Sequence, residues 1–396
     1  MKKVGLFISG MNKGGAERVV SRLTNILEDD FEVYLILCED TYMEYKCRGT
    51  LINMDVKATN TKWDKPILLY KRIKKLKKIK IEYDLDIVIS FLDSPNIVNV
   101  LSKTGKCKTV VSIRNFSENE NKNSILGKLT NIAISGLYNK ADKIIPVTKL
   151  IAQNYEENYG IQKEKMSVIY NPYDIVEIQN LANECIQDEY SDFFEQGRIF
   201  ISVGRQMYQK GFWHLIKSFK LVHDKYSDAK LVIIGRDCDD IKIRTLINQL
   251  ELNESVLLTG QQENPFKFIK KSYIYVMSSL FEGFPNSMVE AMACGCPIIS
   301  TDCKSGPREI LYENPDLSKT CKDIEKADYG ILVPPFDTSE DWNFNNISYE
   351  EKLLAQAMIL MLSDENIQKK YSKKSIYRSK AFNYNICKQK FTKIIN

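Results

Sequence analysis

Short apolar runs, each closed by glycine or a polar residue, alternate with longer segments of helical periodicity along nearly the whole chain. In the first half the runs fall at 3–9, 32–37, 86–91, 109–113 and 143–147, and helical patterns over 16–28, 95–103 and 124–140 fill most gaps. A second series opens at Arg198 with RIFISVG, followed by KLVIIG from Lys230, SVLLTG from Ser255, YIYVMSS, CPIIST, and GILVPPFD from Gly330. Helical sequence then runs from Tyr349 to the end, after a polar loop expected at 337–348. Apolar runs of strand length alternating with helices are the pattern of parallel sheets buried on both faces. VIYNPYD, ending at Asp174, leads into a polar stretch that reaches Gly197 and separates the two series. The pattern therefore predicts an α/β chain with an N-terminal Rossmann-like domain at 1–174, a linker at 175–197, a C-terminal Rossmann-like domain at 198–375, and a last helix at 376–396. Two parallel sheets facing an interdomain cleft would receive ligands at the carboxyl ends of their strands.

A length of 396 residues suffices for two domains with separate cores. The 44% hydrophobic and 27% charged content is that of a globular protein. No apolar run is long enough to span a bilayer, and the start MKKVGLFISG reads as a first strand rather than a signal peptide. The ten cysteines form no Cys-x-x-Cys unit, which suits a reduced, cytoplasmic setting. A net charge of +5 demands no nucleic-acid partner. The charge is uneven, however. Between Leu69 and Lys80 stand Lys71, Arg72, Lys74, Lys75, Lys77, Lys78 and Lys80 with no acid among them, while Leu69, Ile73 and Leu76 recur at helical spacing. This reads either as a solvated helix with one core-facing stripe, or as a basic helix lying on an anionic membrane surface at the inner face of the cell membrane.

The chemistry concentrates in FEGFPNSMVEAMACG at 281–295, which sets Glu282 and Glu290 eight positions apart across a strand-to-helix turn. Pro285 and Asn286 suit the start of a helix and Gly295 its end. Backbone N–H groups near Ser287 and Met288 would face an anion such as a diphosphate. A ligand with a diphosphate in its middle and hydroxyl-rich groups at both ends, as in a nucleotide-sugar, would then meet one carboxylate at each end. Arg205 follows the strand RIFISVG and Lys210 precedes the next helix, two cations suited to a departing diphosphate. Gly14 and Gly15 open a helix after the first strand, where backbone can approach a ligand closely. Arg114 and Asn115 end another strand of the first half, pointing a cation and an amide into the cleft.

Together these residues resemble the GT-B, family-four retaining glycosyltransferases (glycosyl transferases group 1), over nearly the whole chain. The tail CPIISTDCKSGPREIL resembles members that build bacterial capsule, O-antigen and other lipid-linked glycans. The resemblance implies that Arg205 and Lys210 hold the diphosphate, that Glu282 contacts the donor sugar and that Glu290 binds the ribose hydroxyls. It further implies that Gly283, Phe284 and Pro285 line the sugar, that Asn286, Ser287 and Met288 open the phosphate-binding helix, and that Gln262, Gly14 and Gly15 complete the donor set. Glu282, Arg205, Lys210 and Arg114 are the candidate catalytic residues. The C-terminal helix is expected to return to the N-domain, which would hold the acceptor. Many relatives carry a histidine where this chain has Arg114-Asn115; the two histidines present, His214 and His223, read as packing or helix-surface residues. Asp237-x-Asp239-Asp240 looks like a helix start rather than a cation motif, so no obligatory metal and no resident cofactor are expected. The implied reaction moves a hexose or N-acetylhexosamine from a nucleoside-diphosphate sugar, UDP ahead of GDP-mannose, to a lipid-linked or polymer glycan. A GT-B nucleotide-sugar epimerase and a catalytically silent nucleotide-sugar-binding scaffold stand as the alternatives.

Overall fold

The computed structural model describes residues 1–12, 14–39, 43–57, 61–116, 134–236 and 241–396. The chain divides into two compact units, Met1–Tyr173 joined by Tyr384–Asn396, and Asp174–Asn383. In the first unit strands β1 (Lys3–Ile8), β2 (Glu32–Leu37), β3 (Thr50–Asn53), β4 (Ile87–Phe91), β5 (Lys108–Ile113) and β6 (Lys143–Pro146) form a sheet in the order β3-β2-β1-β4-β5-β6. Every neighbouring pair is parallel. Alternate residues serve alternate faces. Leu6, Ile8 and Leu35 pack with Val19, Val20 and Leu23 of the helix Gly15–Leu27. Phe7, Ile36 and Val88 pack on the other face with Leu76 and Ile79 of the helix Lys65–Glu82. Cys387, Phe391, Ile394 and Ile395 of the helix Tyr384–Ile395 join the first of these cores, so the end of the chain returns to the N-terminal unit.

The second unit contains β7 (Arg198–Val203), β8 (Ala229–Ile234), β9 (Val256–Gly260), β10 (Ile274–Met277), β11 (Ile298–Thr301), β12 (Glu325–Lys326) and β13 (Ile331–Val333). Their order is β12-β13-β11-β10-β7-β8-β9, and β12 is antiparallel to β13 while the other pairs are parallel. Trp213, Ile216 and Phe219 of the helix Phe212–Lys225 share a core with Leu354, Met358 and Met361 of the helix Tyr349–Ser363. Among the described residues no helix is long and apolar enough to cross a membrane.

Several expectations need correcting. The 175–197 stretch, expected as a linker, carries the helices Ile175–Ala182 and Asp188–Glu195, because Ile175, Ile178 and Ala182 give the first of them a buried face. The expected last helix at 376–396 is broken: Glu365–Ser379 ends at a 3-10 turn, Lys380–Phe382, before Tyr384–Ile395 begins. β3 and β12 had no counterpart among the apolar runs. The pattern at 124–140 falls largely on 117–133, and Asp237, Asp239 and Asp240 likewise lie outside the described residues.

Candidate active site

β7 is flanked by β8 on one side and β10 on the other, so the second sheet reverses its winding between β7 and β10. A parallel sheet opens a crevice at such a point, beyond the strands' carboxyl ends. The chain places its cations after β7 and its first glutamate after β10. The two strand ends are stitched together. Ser278 Oγ donates to Lys210 O at 2.8 Å, and Leu280 N donates to Gln209 O at 2.9 Å. Gly211 turns the chain at φ +57°, and a Cβ there would stand 2.5 Å from Ser278 O, so only glycine fits. Past this turn the helix Phe212–Lys225 begins.

Lys210 and Glu282, 72 residues apart in sequence, meet here: Lys210 Nζ lies 2.6 Å from Glu282 Oε1. Glu282 is 8% exposed, and Ser279 Oγ donates to the same oxygen at 2.8 Å. Gln209 Nε2 donates to Phe281 O at 2.8 Å and reaches Glu282 Oε2 at 3.4 Å. A carboxylate withdrawn from water in this way requires a paired cation and hydrogen-bond donors, and it has both. Arg205 is arranged differently: it is exposed, and no carboxylate pairs with it among the described residues. Its neighbour Gln206 was not anticipated from the sequence. It is buried, and neither end of its amide finds a partner among the described residues.

Glu290 lies inside the helix Asn286–Ala293 and is 2% exposed. The Tyr275 hydroxyl shares a 2.7 Å hydrogen bond with Ser287 Oγ at the start of this helix. Burial raises the Tyr275 hydroxyl well above its ordinary range, and the charges of Glu282 and Glu290 both push the same way. No side chain caps the helix at Pro285, while Met288 N donates back to Pro285 O at 3.2 Å. Past its end Gly295 takes φ +79°, the left-handed stop expected there. The Phe284 ring is buried against Phe382 with centroids 5.5 Å apart, so that residue pins the loop down.

The loop is held from beneath by 304–306. Glu282 N donates to Lys304 O and Ser305 N to Glu282 O, both at 2.8 Å, and Ser305 Oγ donates to Gly283 O at 2.7 Å. Gly306 adopts φ +104°, and a Cβ there would fall 2.5 Å from Pro285 Cδ. These supports follow β11. Only the run KSGP hinted at a tight turn in the sequence. Gln262 follows β9, where its amide donates to Thr259 O at 3.0 Å and to Tyr190 Oη at 3.4 Å.

The remaining candidates belong to the first unit. Gly14 caps the helix Gly15–Leu27, and a Cβ on it would come 2.1 Å from Glu17 Oε2, so a carboxylate already sits at that helix start. Arg114 is enclosed at 9% exposure. Its guanidinium donates to Asn171 Oδ1 and to Ser112 Oγ at 3.4 Å, and stands 5.9 Å from the Phe91 ring centroid. Burial lowers its pKa to about 10. His214 and His223 fill structural places. His214 Nδ1 bonds Glu351 Oε1 at 2.7 Å with its ring stacked on Phe336, and His223 bonds Ala229 O at 3.0 Å and Ser255 Oγ at 3.1 Å. Among the described residues no group of three or more His, Cys, Asp or Glu side chains is placed to hold a metal ion.

Comparison with known proteins identifies the family. Residues 186–328 match the family described as Glycosyl transferases group 1, and residues 13–177 match Glycosyltransferase Family 4. An uncharacterized glycosyltransferase of Methanocaldococcus jannaschii is 38% identical over 328 residues, 80% of each chain. The N-acetylgalactosamine-N,N'-diacetylbacillosaminyl-diphospho-undecaprenol 4-alpha-N-acetylgalactosaminyltransferase of Campylobacter jejuni is 30% identical over 394 residues, 96% of each chain. Among solved structures, Anabaena HepE in complex with UDP and glucose superposes with a TM-score of 0.73 at 16% identity, covering 100% of this chain and 99% of that one. The protein is a GT-B glycosyltransferase and belongs to family four, whose enzymes use a nucleotide-sugar co-substrate, generally without a metal, and typically retain the sugar's configuration.

Proposed function

We propose that the enzyme transfers a hexose or N-acetylhexosamine, with retention, from a UDP-sugar to a lipid-linked glycan during cell-surface polysaccharide synthesis. The observation that carries this reading is the Lys210–Glu282 pair at the β7/β10 reversal, with exposed Arg205 on the same strand end. The acceptor class and the amino-sugar rest on the Campylobacter jejuni relative, whose name gives a diphospho-undecaprenol acceptor and an N-acetylgalactosaminyl group. UDP, the ordinary carrier of N-acetylhexosamines, is favoured over GDP for that reason.

As the bond from the sugar C1 to the phosphate oxygen opens, negative charge grows on the diphosphate, and Arg205 and Lys210 stabilise it. Glu282 takes hydrogen bonds from the sugar hydroxyls and so keeps C1 in line. The acceptor oxygen bonds to C1 on the face the phosphate leaves, and its proton passes to the departing diphosphate oxygen. Glu290 holds the ribose. An anionic membrane face, met by the lysines of the helix Lys65–Glu82, presents the lipid-linked acceptor to the first unit.

A panel of nucleotide-sugars tested by thermal shift identifies the donor, since a ligand at a hundred times its Kd adds about 2.7 kcal/mol of stability. The stabilising donor, incubated with a lipid-linked glycan, should give a product whose anomeric configuration by NMR matches the donor. An inverted product, or no stabilisation by any nucleotide-sugar, would refute the assignment.

A further inference from the structure

The helix Lys65–Glu82 turns the stripe read from the sequence, Leu69, Ile73 and Leu76, toward the core. Leu76 and Ile79 are buried, and Leu68, Leu69 and Ile73 pack beside them. Two of the seven basic residues are also inside. Arg72 donates to Val56 O at 3.0 Å, and Lys80 donates to Asn99 O at 3.1 Å and Ser102 O at 3.4 Å. These anchors fix which side of the helix faces outward, and they withdraw Arg72 and Lys80 from any outside partner.

The outward side is not simply polar. Trp63 is 88% exposed, Ile67 56%, Tyr70 57% and Ile81 65%. At 100° per residue, positions 67, 70, 74 and 81 fall in one stripe, which runs about 20 Å from Ile67 to Ile81, and Trp63 stands in the 3-10 turn Lys62–Asp64 that leads into the helix. Lys74 lies in that stripe, its Nζ 4.7 Å from the Tyr70 ring centroid, and exposed Lys71, Lys77 and Lys78 flank it. Four large apolar side chains left in water, three on one helix face and one on the turn leading into it, point to a partner surface.

The charge names that partner. No acid occurs from Lys65 to Ile81, so a second copy of this face would repel the first, whereas an anionic surface would attract it. Tryptophan and tyrosine favour the headgroup level of a bilayer, where an apolar ring and a polar edge are both accommodated, and lysines reach out to the phosphates from an inserted stem. We propose that Trp63, Ile67, Tyr70 and Ile81 form an insertion ridge that enters the interface of an anionic bilayer, with Lys71, Lys74, Lys77 and Lys78 laid over the headgroups. The inference rests on the reading that this helix meets an anionic membrane, and it changes what that contact is. Attachment is partly hydrophobic, so it outlasts the screening of the lysines by salt.

The test is flotation of the full-length protein with vesicles of mixed phosphatidylglycerol and phosphatidylcholine, and of phosphatidylcholine alone, at low salt and at ~1 M salt, where screening acts within about 3 Å. Wild-type protein should float with the anionic vesicles at low salt and remain largely bound at high salt, with a blue shift in Trp63 emission that Trp63→Phe abolishes. The triple variant Trp63→Ser, Ile67→Ser, Tyr70→Ser should float at low salt but lose about tenfold or more in high-salt binding, each apolar side chain taken out of water being worth about that factor. Its exposed positions leave the core untouched, and unchanged melting and unchanged UDP binding would establish that it is folded. If wild-type protein floats at low salt, is released at high salt and shows no emission shift, the ridge is refuted while the electrostatic contact stands. If it ignores anionic vesicles at low salt, both readings fall.

Discussion

The two sheets share an architecture, yet their carboxyl ends are prepared for different work. At the end of β7 and β10 in the second unit, a cation and a carboxylate are paired beside a second, exposed cation, on turns that glycine alone permits. At the corresponding ends in the first unit, Arg114 is enclosed among neutral acceptors and an aromatic ring, and Glu17 occupies the start of the first helix. One end holds charge that can be handed to a ligand. The other holds charge that the fold has already used. On the proposed reading, the strand end that takes the diphosphate is the one whose cation, Arg205, stays within reach of solvent.

The sharpest way to break this contrast is to remove the cations of the second unit. Arg205→Ala is expected to lower turnover on the order of 100–1000-fold with melting unchanged, since the side chain is exposed. Lys210→Ala should cost as much turnover, and also stability on the order of 3–5 kcal/mol, because it strands buried Glu282. The double variant Lys210→Ala, Glu282→Gln should recover the stability but not the activity. Near-normal transfer by Arg205→Ala and Lys210→Ala together would overturn the placement of the diphosphate.

The two glutamates offer a finer cut. Glu290→Ala is expected to weaken binding of free nucleoside diphosphate about tenfold or more, whereas Glu282→Ala should leave that binding no weaker and reduce the turnover of sugar transfer. Glu282 removal frees Lys210 for the phosphates, so a fall in nucleotide affinity there, measured by calorimetry, would contradict the scheme.

In the first unit the effects should fall on stability. Arg114→Met removes the enclosed guanidinium's hydrogen bonds to Asn171 Oδ1 and Ser112 Oγ and is expected to cost about 1–3 kcal/mol in urea unfolding while nucleotide affinity holds. A loss of nucleotide affinity with stability intact would erase the contrast between the two strand ends.

The smallest effect is a pH dependence. Burial lowers the Lys80 ammonium to about 8 in the folded chain from the usual 10.5. Between those values the unfolded chain binds the proton and the folded chain does not, so this residue makes stability rise with pH across about pH 8 to 10.5. Wild-type melting should therefore gain on Lys80→Met over that window, by at most a few kcal/mol given the size of the shift. Parallel curves would mean that Lys80 is better solvated than its contacts to Asn99 O and Ser102 O imply.

What the sequence disclosed follows from where each signal resides. The strand series was legible because central parallel strands such as β4 are buried at every position and must be apolar throughout. β3 was not, because it lies at the sheet edge with Thr50 and Leu51 exposed. Glu282, Glu290, Arg205 and Lys210 stood out as residue types at a spacing. Their pairing was not, since contact across 72 positions is a property of the folded sheet. The basic run misled in part: Arg72 and Lys80 are interior, and the outward apolar ridge was hidden among lysines that the eye reads as solvated. Buried Gln206 left no sequence signal.

The closing helix carries a consequence for the order of events in the cell. Cys387, Phe391, Ile394 and Ile395 pack with Val4, Leu23 and Leu35, so the first unit to be synthesised lacks one wall of its core until the helix Tyr384–Ile395 has left the ribosome. The second unit, continuous from Asp174 to Asn383, waits for nothing made later. The part begun first is thus completed last. Until then it exposes an apolar seam beside the helix Gly15–Leu27, the kind of transient surface that makes nascent chains aggregate and that chaperones recognise.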